Sequence, residues 1–341
     1  MMFMKMMCRV AVVGCVLALG GRDVRAIEKP SAGETFKVSE GPALPAGRGN
    51  HAGGLIGGHV VVAGGTAWSA DRTTKQWLSD SLVLKDGTWS PGPALPHAVS
   101  EPAFASDGSA LYVAGGRRGA AQTNDGVYRL SEVDGKLAWA TLPKLPAAIT
   151  AGAAAIVDGR MIVTCGSTQN APTNQTWSLN IAGDGAAAWR ACKLLPGPPR
   201  MYPALVECGG FIYLFGGMRP TEEQGKRGME VFKDAYRYDP KADAWERVAD
   251  LPTKGYCWAA APVDDQSVLL TGRADGVIQD DVWRVNVTDM RVQGVGRTVI
   301  QSTCAPLVRL DANTWWLVGG EPDSNKTRTE KVSVIKKVSG Q

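Results

Sequence analysis

Six times along the chain an apolar run ends in glycine: residues 60–65 (VVVAGG), 111–116 (LYVAGG), 161–166 (MIVTCG), 211–217 (FIYLFGG), 268–272 (VLLTG) and 315–320 (WWLVGG). The last glycines fall at 65, 116, 166, 217, 272 and 320, so the unit recurs about every 50 residues. A continuous apolar run of this length reads as a strand buried on both faces, and the glycines mark a place where two backbones approach closely. One such segment would carry little weight. Six in register mean that a single structural unit is repeated around a common core.

Later in four of the units come Trp89, Trp139, Trp189 and Trp245, each leading to a proline-bearing exit: GPALP at 92–96, LPKLP at 142–146, LLPGPP at 194–199 and DLP at 250–252. In the fourth unit the parts are complete: the glycine pair, a polar loop, a strand ending Tyr238-Asp239-Pro240, and another opening at Trp245. Asp-Pro turns the chain, and the indole is suited to wedging between neighbouring sheets. The period is that of the kelch repeat. The fold expected is therefore all-β, a six-bladed kelch β-propeller with blades near 47–96, 97–146, 147–198, 199–252, 253–298 and 299–337. After Gly320 only one strand remains, near 331–337, whereas residues 34–46 end in the same GPALP with no strand before them. That N-terminal strand is expected to complete the sixth blade, so that the ring closes without a free sheet edge at the seam. Residues 27–341 thus form one domain.

Residues 1–26 carry Lys5 and Arg9, then an apolar stretch over 10–19, then Val24-Arg25-Ala26. This is the pattern of a signal peptide, with export to the periplasm or outside the cell as the expectation. A lipoprotein signal at Cys15 is the alternative, opposed by the apolar run continuing past that cysteine. No later segment approaches membrane-spanning length, so no stable insertion is expected. The formal charge of +4 falls to about +1 once the four basic residues and one acid of 1–26 are set aside, which does not suggest a nucleic-acid partner. Cys165, Cys192, Cys208, Cys257 and Cys304 remain, without CxxC or Cys/His spacing, and read as small buried filler, a disulfide being the alternative. Neither a metal nor another cofactor is called for.

In a four-stranded antiparallel blade, the segment after each glycine pair and the segment after each Leu-Pro fall on one rim. Those positions hold Arg48, Asn50, His51, Thr66, Trp68, His97, Glu101, Arg117, Arg118, Arg200, Tyr202, Arg273, Asp275, Glu321 and Arg328. Several arginines and few acids suit an anionic ligand bearing a carboxylate held in a bidentate fork. Each position also has a structural reading. Arg117 and Arg118 could be solvated loop charges, His51 and His97 could bond to backbone, Tyr202 and Trp68 could pack rather than stack on a sugar, and Arg48 and Arg200 could bind a neighbouring loop. Glu321 stands apart as the one acid directly after a glycine pair.

Three stretches carry a more specific likeness: residues 62–84, with VAGGTAW and WLSDSLVL; 211–252, with DAYRYDP; and 319–328, GGEPDSNKTR. They resemble the N-acetylneuraminate epimerase (sialic acid mutarotase) family of exported six-bladed kelch proteins, in particular its cyclically permuted branch. The resemblance implies an isomerase acting on a sugar acid, with the family's catalytic Glu and Arg falling on Glu321 and Arg328. Here one extra residue separates them, and Asp-Ser-Asn-Lys replaces the family's Lys-Pro-Gly turn. Arg48, His51, Trp68, Arg200, Tyr202 and Arg273 are the expected substrate-binding residues. The other class of function is a propeller that binds a carbohydrate or a protein without chemistry, since fold does not fix function. A copper-radical oxidase of the galactose oxidase type shares the propeller but needs histidine ligands, and the chain has three histidines in all.

Overall fold

The structure is a computed structural model that describes residues 27, 34–169, 171–182, 188–223, 225–325 and 327–339, and the expected signal peptide lies outside these. Six four-stranded antiparallel sheets form the blades. In the first, Ala52–Ile56, His59–Ala63, Ser81–Lys85 and Thr88–Gly92 pair in chain order from the axis outward. The innermost strands of the others are Ala103–Ser106, Ala153–Val157, Ala204–Cys208, Ala259–Asp264 and Leu307–Asp311; each adjoins the next, and the last adjoins Ala52–Ile56. The result is a closed six-bladed β-propeller.

Each glycine-terminated apolar run is the second strand of its blade. His59–Ala63, Ala110–Ala114, Arg160–Thr164, Phe211–Phe215, Ser267–Thr271 and Thr314–Val318 lie between two sheet neighbours and two adjacent blades, and most of their residues are buried. That position explains apolar residues on both faces rather than alternation. The sixth sheet runs Leu307–Asp311, Thr314–Val318, Val332–Ser339 and then Glu34–Glu40, with Lys37 opposite Lys336 and Glu40 opposite Ser333. The N-terminal strand therefore closes the ring as the outermost strand of the last blade, and Phe36 packs against Trp315 at a centroid distance of 6.1 Å.

The recurring tryptophans are inter-blade clamps. Trp89 Nε1 donates to the Pro42 carbonyl (3.0 Å), Trp139 to Pro93 (2.9 Å), Trp189 to Pro143 (2.8 Å) and Trp245 to Lys193 (3.1 Å). Each acceptor lies two residues before the leucine of the preceding Leu-Pro, and Leu44, Leu95, Leu145 and Leu195 are all buried. Leu-Pro and Trp therefore belong to one joint: the proline bends the chain out of the blade, the leucine fills the cleft, and the next blade's indole bonds to the exposed carbonyl.

One feature differs from the sequence reading. The segments after the second strand of blades one, three and four are two-stranded ribbons rather than open loops: Thr66–Trp68 with Lys75–Trp77, Ser167–Thr168 with Ala171–Pro172, and Met218–Glu223 with Lys226–Val231. The longest has mostly exposed polar side chains on both strands, so it lacks the one-sided apolar pattern by which a strand is normally read. Among the described residues no helix is long and apolar enough to cross a membrane.

Candidate functional site

The rim is built by one interaction repeated in every blade. The residue after the glycine segment pairs with a residue just ahead of the same blade's inner strand: Thr66 with Gly49, Arg117 with Ser100, Ser167 with Thr150, Met218 with Met201, Ala274 with Tyr256, and Glu321 with Thr303. In five of the six blades a glycine with positive φ precedes the paired residue and brings the two backbones close. At Gly320 φ is +106°, and an added Cβ would lie 2.6 Å from the Thr303 carbonyl oxygen. In blade five Arg273 takes that second position.

Immediately after each paired residue comes a second ring, Asn50, Glu101, Ala151, Tyr202, Cys257 and Cys304, all with positive φ between 52° and 58°. Backbone hydrogen bonds join its members from blade to blade: Asn50 N to Cys304 O, Glu101 N to Asn50 O, Ala151 N to Glu101 O, Tyr202 N to Ala151 O, and Cys257 N to Tyr202 O, at 2.7 to 2.9 Å. Left-handed conformations are strained for non-glycine residues, and the hydrogen-bonded ring is what holds them. The ring rims an axial channel of about 500 Å³, walled by the inner strands of all six blades.

At this mouth Glu321 Oε1 accepts a hydrogen bond from Asn50 Nδ2 and forms an ion pair with Arg328 Nη2 at 2.8 Å. Asn50 itself lines the channel, so the carboxylate stands one hydrogen bond from the channel wall. Arg328 is nearly buried; its Nε and Nη2 both donate to Thr66 Oγ1 at 3.2 Å, and Nη1 donates to the Thr327 carbonyl. Burial pushes the Glu321 carboxyl above the usual glutamate value, while the Arg328 charge and the Asn50 hydrogen bond pull it part of the way back.

A second acid, Glu101, faces the same opening. It accepts from Thr150 Oγ1 (3.0 Å) and pairs with Arg117 Nε (3.2 Å), and the Tyr202 phenol lies close enough to feel its charge. Burial and that neighbouring carboxylate push the Tyr202 phenol well above its ordinary value, so it remains a neutral donor. Lys75, on the ribbon of blade one, feels the charges of Glu101, Arg328 and Glu321. Burial lowers its pKa, its ammonium lies 4.6 Å from the Trp77 ring centroid, and it forms no ion pair with another described residue.

The structure brings Glu321 and Arg328 together and puts Tyr202 and His51 on the channel. The His51 ring is buried, and its burial and the Arg48 charge hold its pKa well below the usual histidine value, so it is neutral. Trp68 sits on the ribbon directly opposite Lys75.

The arginine-rich rim takes a different form from the one expected. Arg48 donates to the Gly64 carbonyl (3.2 Å) and pairs with Asp80 (2.6 Å). Arg200 is fully buried and repeats the same strut in blade four, donating to the Gly216 carbonyl (2.9 Å) and gripping both oxygens of Asp234 (2.5 and 2.9 Å). Arg273 pairs with Asp275 (2.9 Å) and Asp281 (3.4 Å) beside Trp258 and Trp283. Arg117 meets Glu101, and Arg118 donates to Asn124. Each of these guanidiniums already has an internal acceptor, because a buried arginine must be matched. Arg48, Arg200 and Arg273 thus stand in inter-strand struts rather than as free positive charge, while Lys75, which the sequence reading did not include, forms no ion pair with another described residue.

Sequence reasoning passed over Lys75 and placed Asn50 and Glu101 on the rim without giving them a role. A signal for the latter pair existed: 50, 101, 151, 202, 257 and 304 recur with the blade period, immediately before each inner strand. Lys75 carries no such signal, since its blade-one ribbon has no counterpart of equal length in blade three.

These features define a six-bladed β-propeller with a partly buried, arginine-held glutamate at the mouth of its axial channel. Residues 142–303 match the family model described as N-acetylneuraminate epimerase, and over that stretch the chain resembles the family. Among curated relatives, the N-acetylneuraminate epimerase of Yersinia pestis (strain Pestoides F) is 34% identical over 79 residues, 23% of this chain and 20% of that protein. That of Haemophilus influenzae (strain 86-028NP) is 25% identical over 135 residues, 40% of this chain and 35% of that protein. That of Yersinia enterocolitica serotype O:8 is 29% identical over 104 residues, 30% of this chain and 25% of that protein. The matches thus span about a fifth to a third of the length of these curated relatives. Glu321 and Arg328 lie outside residues 142–303.

Proposed function

We propose that the protein is a mutarotase that interconverts the anomers of N-acetylneuraminate or a closely related sugar acid. The observation that carries this reading is Glu321: a carboxyl with a raised pKa, fixed between Asn50 and Arg328 at the mouth of a channel large enough for a monosaccharide. Anomer exchange requires one proton to leave the anomeric hydroxyl and one to reach the ring oxygen. The C–O bond to the ring oxygen then breaks, the open-chain ketone forms, and reclosure from the other face delivers the second anomer.

A single carboxylate can serve both transfers, as base in one direction and acid in the other. A pKa moved toward the working pH improves it in both roles, and such catalysis contributes on the order of a hundred- to ten-thousandfold. Arg328, held by Thr66, keeps the carboxylate aimed and offsets negative charge developing beside it. Lys75 supplies the cation for the substrate's own carboxylate, over the Trp77 ring and across the ribbon from Trp68. The neutral Tyr202 hydroxyl and the Asn50 amide offer hydrogen bonds to sugar hydroxyls.

The resemblance over residues 142–303 supports the same substrate class. We further propose that the chain works after export, with residues 1–26 removed as a signal peptide; intact mass of exported material should correspond to a start near Ile27. A second reading, a propeller that binds a sugar acid without chemistry, is favoured by one observation, namely that Arg328 already spends its charge on Glu321. Magnetic-resonance exchange spectroscopy on N-acetylneuraminate separates the two. The mutarotase reading requires exchange between anomers to accelerate when the protein is added, whereas broadening by binding without faster exchange would favour the second.

A further inference from the structure

Two of the five cysteines after residue 26 stand apart from the rest. Cys165 is fully buried and burial pushes its thiol up to about 11; the Cys208 thiol, pushed up to about 12, donates to the Asp264 carbonyl of the next blade. Cys257 and Cys304 instead occupy equivalent positions of adjacent blades in the ring at the channel mouth, with φ of +54° and +53°. The Cys304 Sγ–H points at Cys257 Sγ, 2.8 Å away, and both residues line the channel. Cys257 is buried and Cys304 half-buried, so the pair is reached from the channel through Cys304.

We propose that Cys257 and Cys304 are a redox-active pair that closes into a disulfide joining blades five and six at the mouth of the channel. Two features make the bond accessible. The sulfurs stand within about 1 Å of the ~2.05 Å bonding distance of a disulfide, so closure needs side-chain adjustment rather than movement of a blade. Each left-handed residue is anchored on its far side, Cys257 N donating to the Tyr202 carbonyl and the Cys304 carbonyl accepting from Asn50 N.

The oxidant is a small disulfide of the glutathione class. The Cys304 thiolate attacks one sulfur of oxidised glutathione, forming a mixed disulfide and releasing one glutathione thiolate. The Cys257 thiolate then attacks Cys304 Sγ and expels the second glutathione. The protein loses two electrons and two protons, and one oxidised glutathione becomes two reduced ones. Hydrogen bonding to Cys257 and burial raise the Cys304 thiol, so exchange accelerates as the solution is made alkaline.

The bond would act on the ground that carries Glu321. Thr303 exchanges both backbone hydrogen bonds with Glu321 (3.0 and 2.8 Å), and the Cys304 carbonyl accepts from Asn50, whose side chain bonds to the Glu321 carboxylate. Oxidation would therefore brace the segment from which Glu321 is hung. Neither the bond nor its test depends on the reaction proposed above.

The full chain is reduced, freed of reductant and incubated at about pH 8.5 with mixtures of oxidised and reduced glutathione; the free thiols are then blocked and the protein digested. The expected result is one cross-linked peptide joining Cys257 to Cys304, reversed by dithiothreitol. The oxidised parent should melt several degrees above its reduced form, with no such gain for Cys257→Ser. Should Cys304 accumulate only as its glutathione adduct, or both residues be fully blocked under oxidising mixtures, the pair is not redox-active and the proposal is wrong. Cys257→Ser bears on this even if it is less stable, because its Cys304 should then stop at the mixed disulfide.

Discussion

Replacing Arg200 with methionine separates a structural arginine from a ligand-binding one. Its side chain is 0% exposed and that of Asp234 is 14% exposed, so the ion pair lies largely out of water. Its guanidinium also meets the Gly216 and Pro198 carbonyls and lies 4.3 Å from the centre of the Phe232 ring. Methionine retains much of the stem's packing but leaves Asp234 charged without its partner. Removing one member of a buried pair costs about 3–5 kcal/mol. With Tm moving roughly 2–4 °C per kcal/mol in a domain approaching this size, the variant should melt on the order of 10 °C below the parent. Replacing Asp234 by leucine in the same chain should recover part of that loss, because the uncompensated charge is gone; recovery stays partial because the Tyr236 hydroxyl also donates to Asp234. Thermal melting with paired binding measurements would report both quantities. A variant that melts with the parent yet fails to bind sugar acid would refute the strut and restore Arg200 to the ligand site.

Further outcomes follow from the same geometry. Deleting residues 27–40 removes the outermost strand of the sixth blade and exposes Val332–Ser339 as a long edge; the truncated protein should aggregate on size-exclusion chromatography, and a monomer that melts cooperatively would show that the ring closes otherwise. Lys75→Met should raise KM for a sugar acid at least tenfold with little change in kcat, since it removes a cation that binds ground and transition states alike; equal loss in both would contradict that role. The pH profile follows from the raised carboxyl of Glu321: the base form is lost as pH falls through the folded-state pKa, so the acidic limb of kcat/KM should lie above the ordinary value of 4.5, and a limb below it would count against Glu321 as the base.

The fold was legible because the propeller writes its geometry into the chain at every turn. A strand enclosed by two sheet neighbours and two blades must be apolar throughout, and the joint between blades demands Leu-Pro on one side and Trp on the next, so blade number and closure could both be read before any coordinates. The site was legible only in part. Glu321 showed itself because five equivalent positions hold no acid. The arginines misled for a physical reason: exposure cannot be read from a residue's place in a loop, and Arg48 and Arg200 turn inward to Asp80 and Asp234, thirty or more residues away. Lys75 and the Cys257–Cys304 contact were hidden because both depend on which side chains a closed ring brings face to face across blades.

The central claim is that Glu321 moves the proton in anomer exchange. Glu321→Gln retains the shape and can still bond to Asn50, but it cannot carry a proton between anomeric hydroxyl and ring oxygen. Exchange spectroscopy on N-acetylneuraminate, run beside a melting curve, should give a rate lower than the parent's by roughly a hundredfold or more at a Tm within a few degrees. Parental exchange by a well-folded Glu321→Gln would contradict the account.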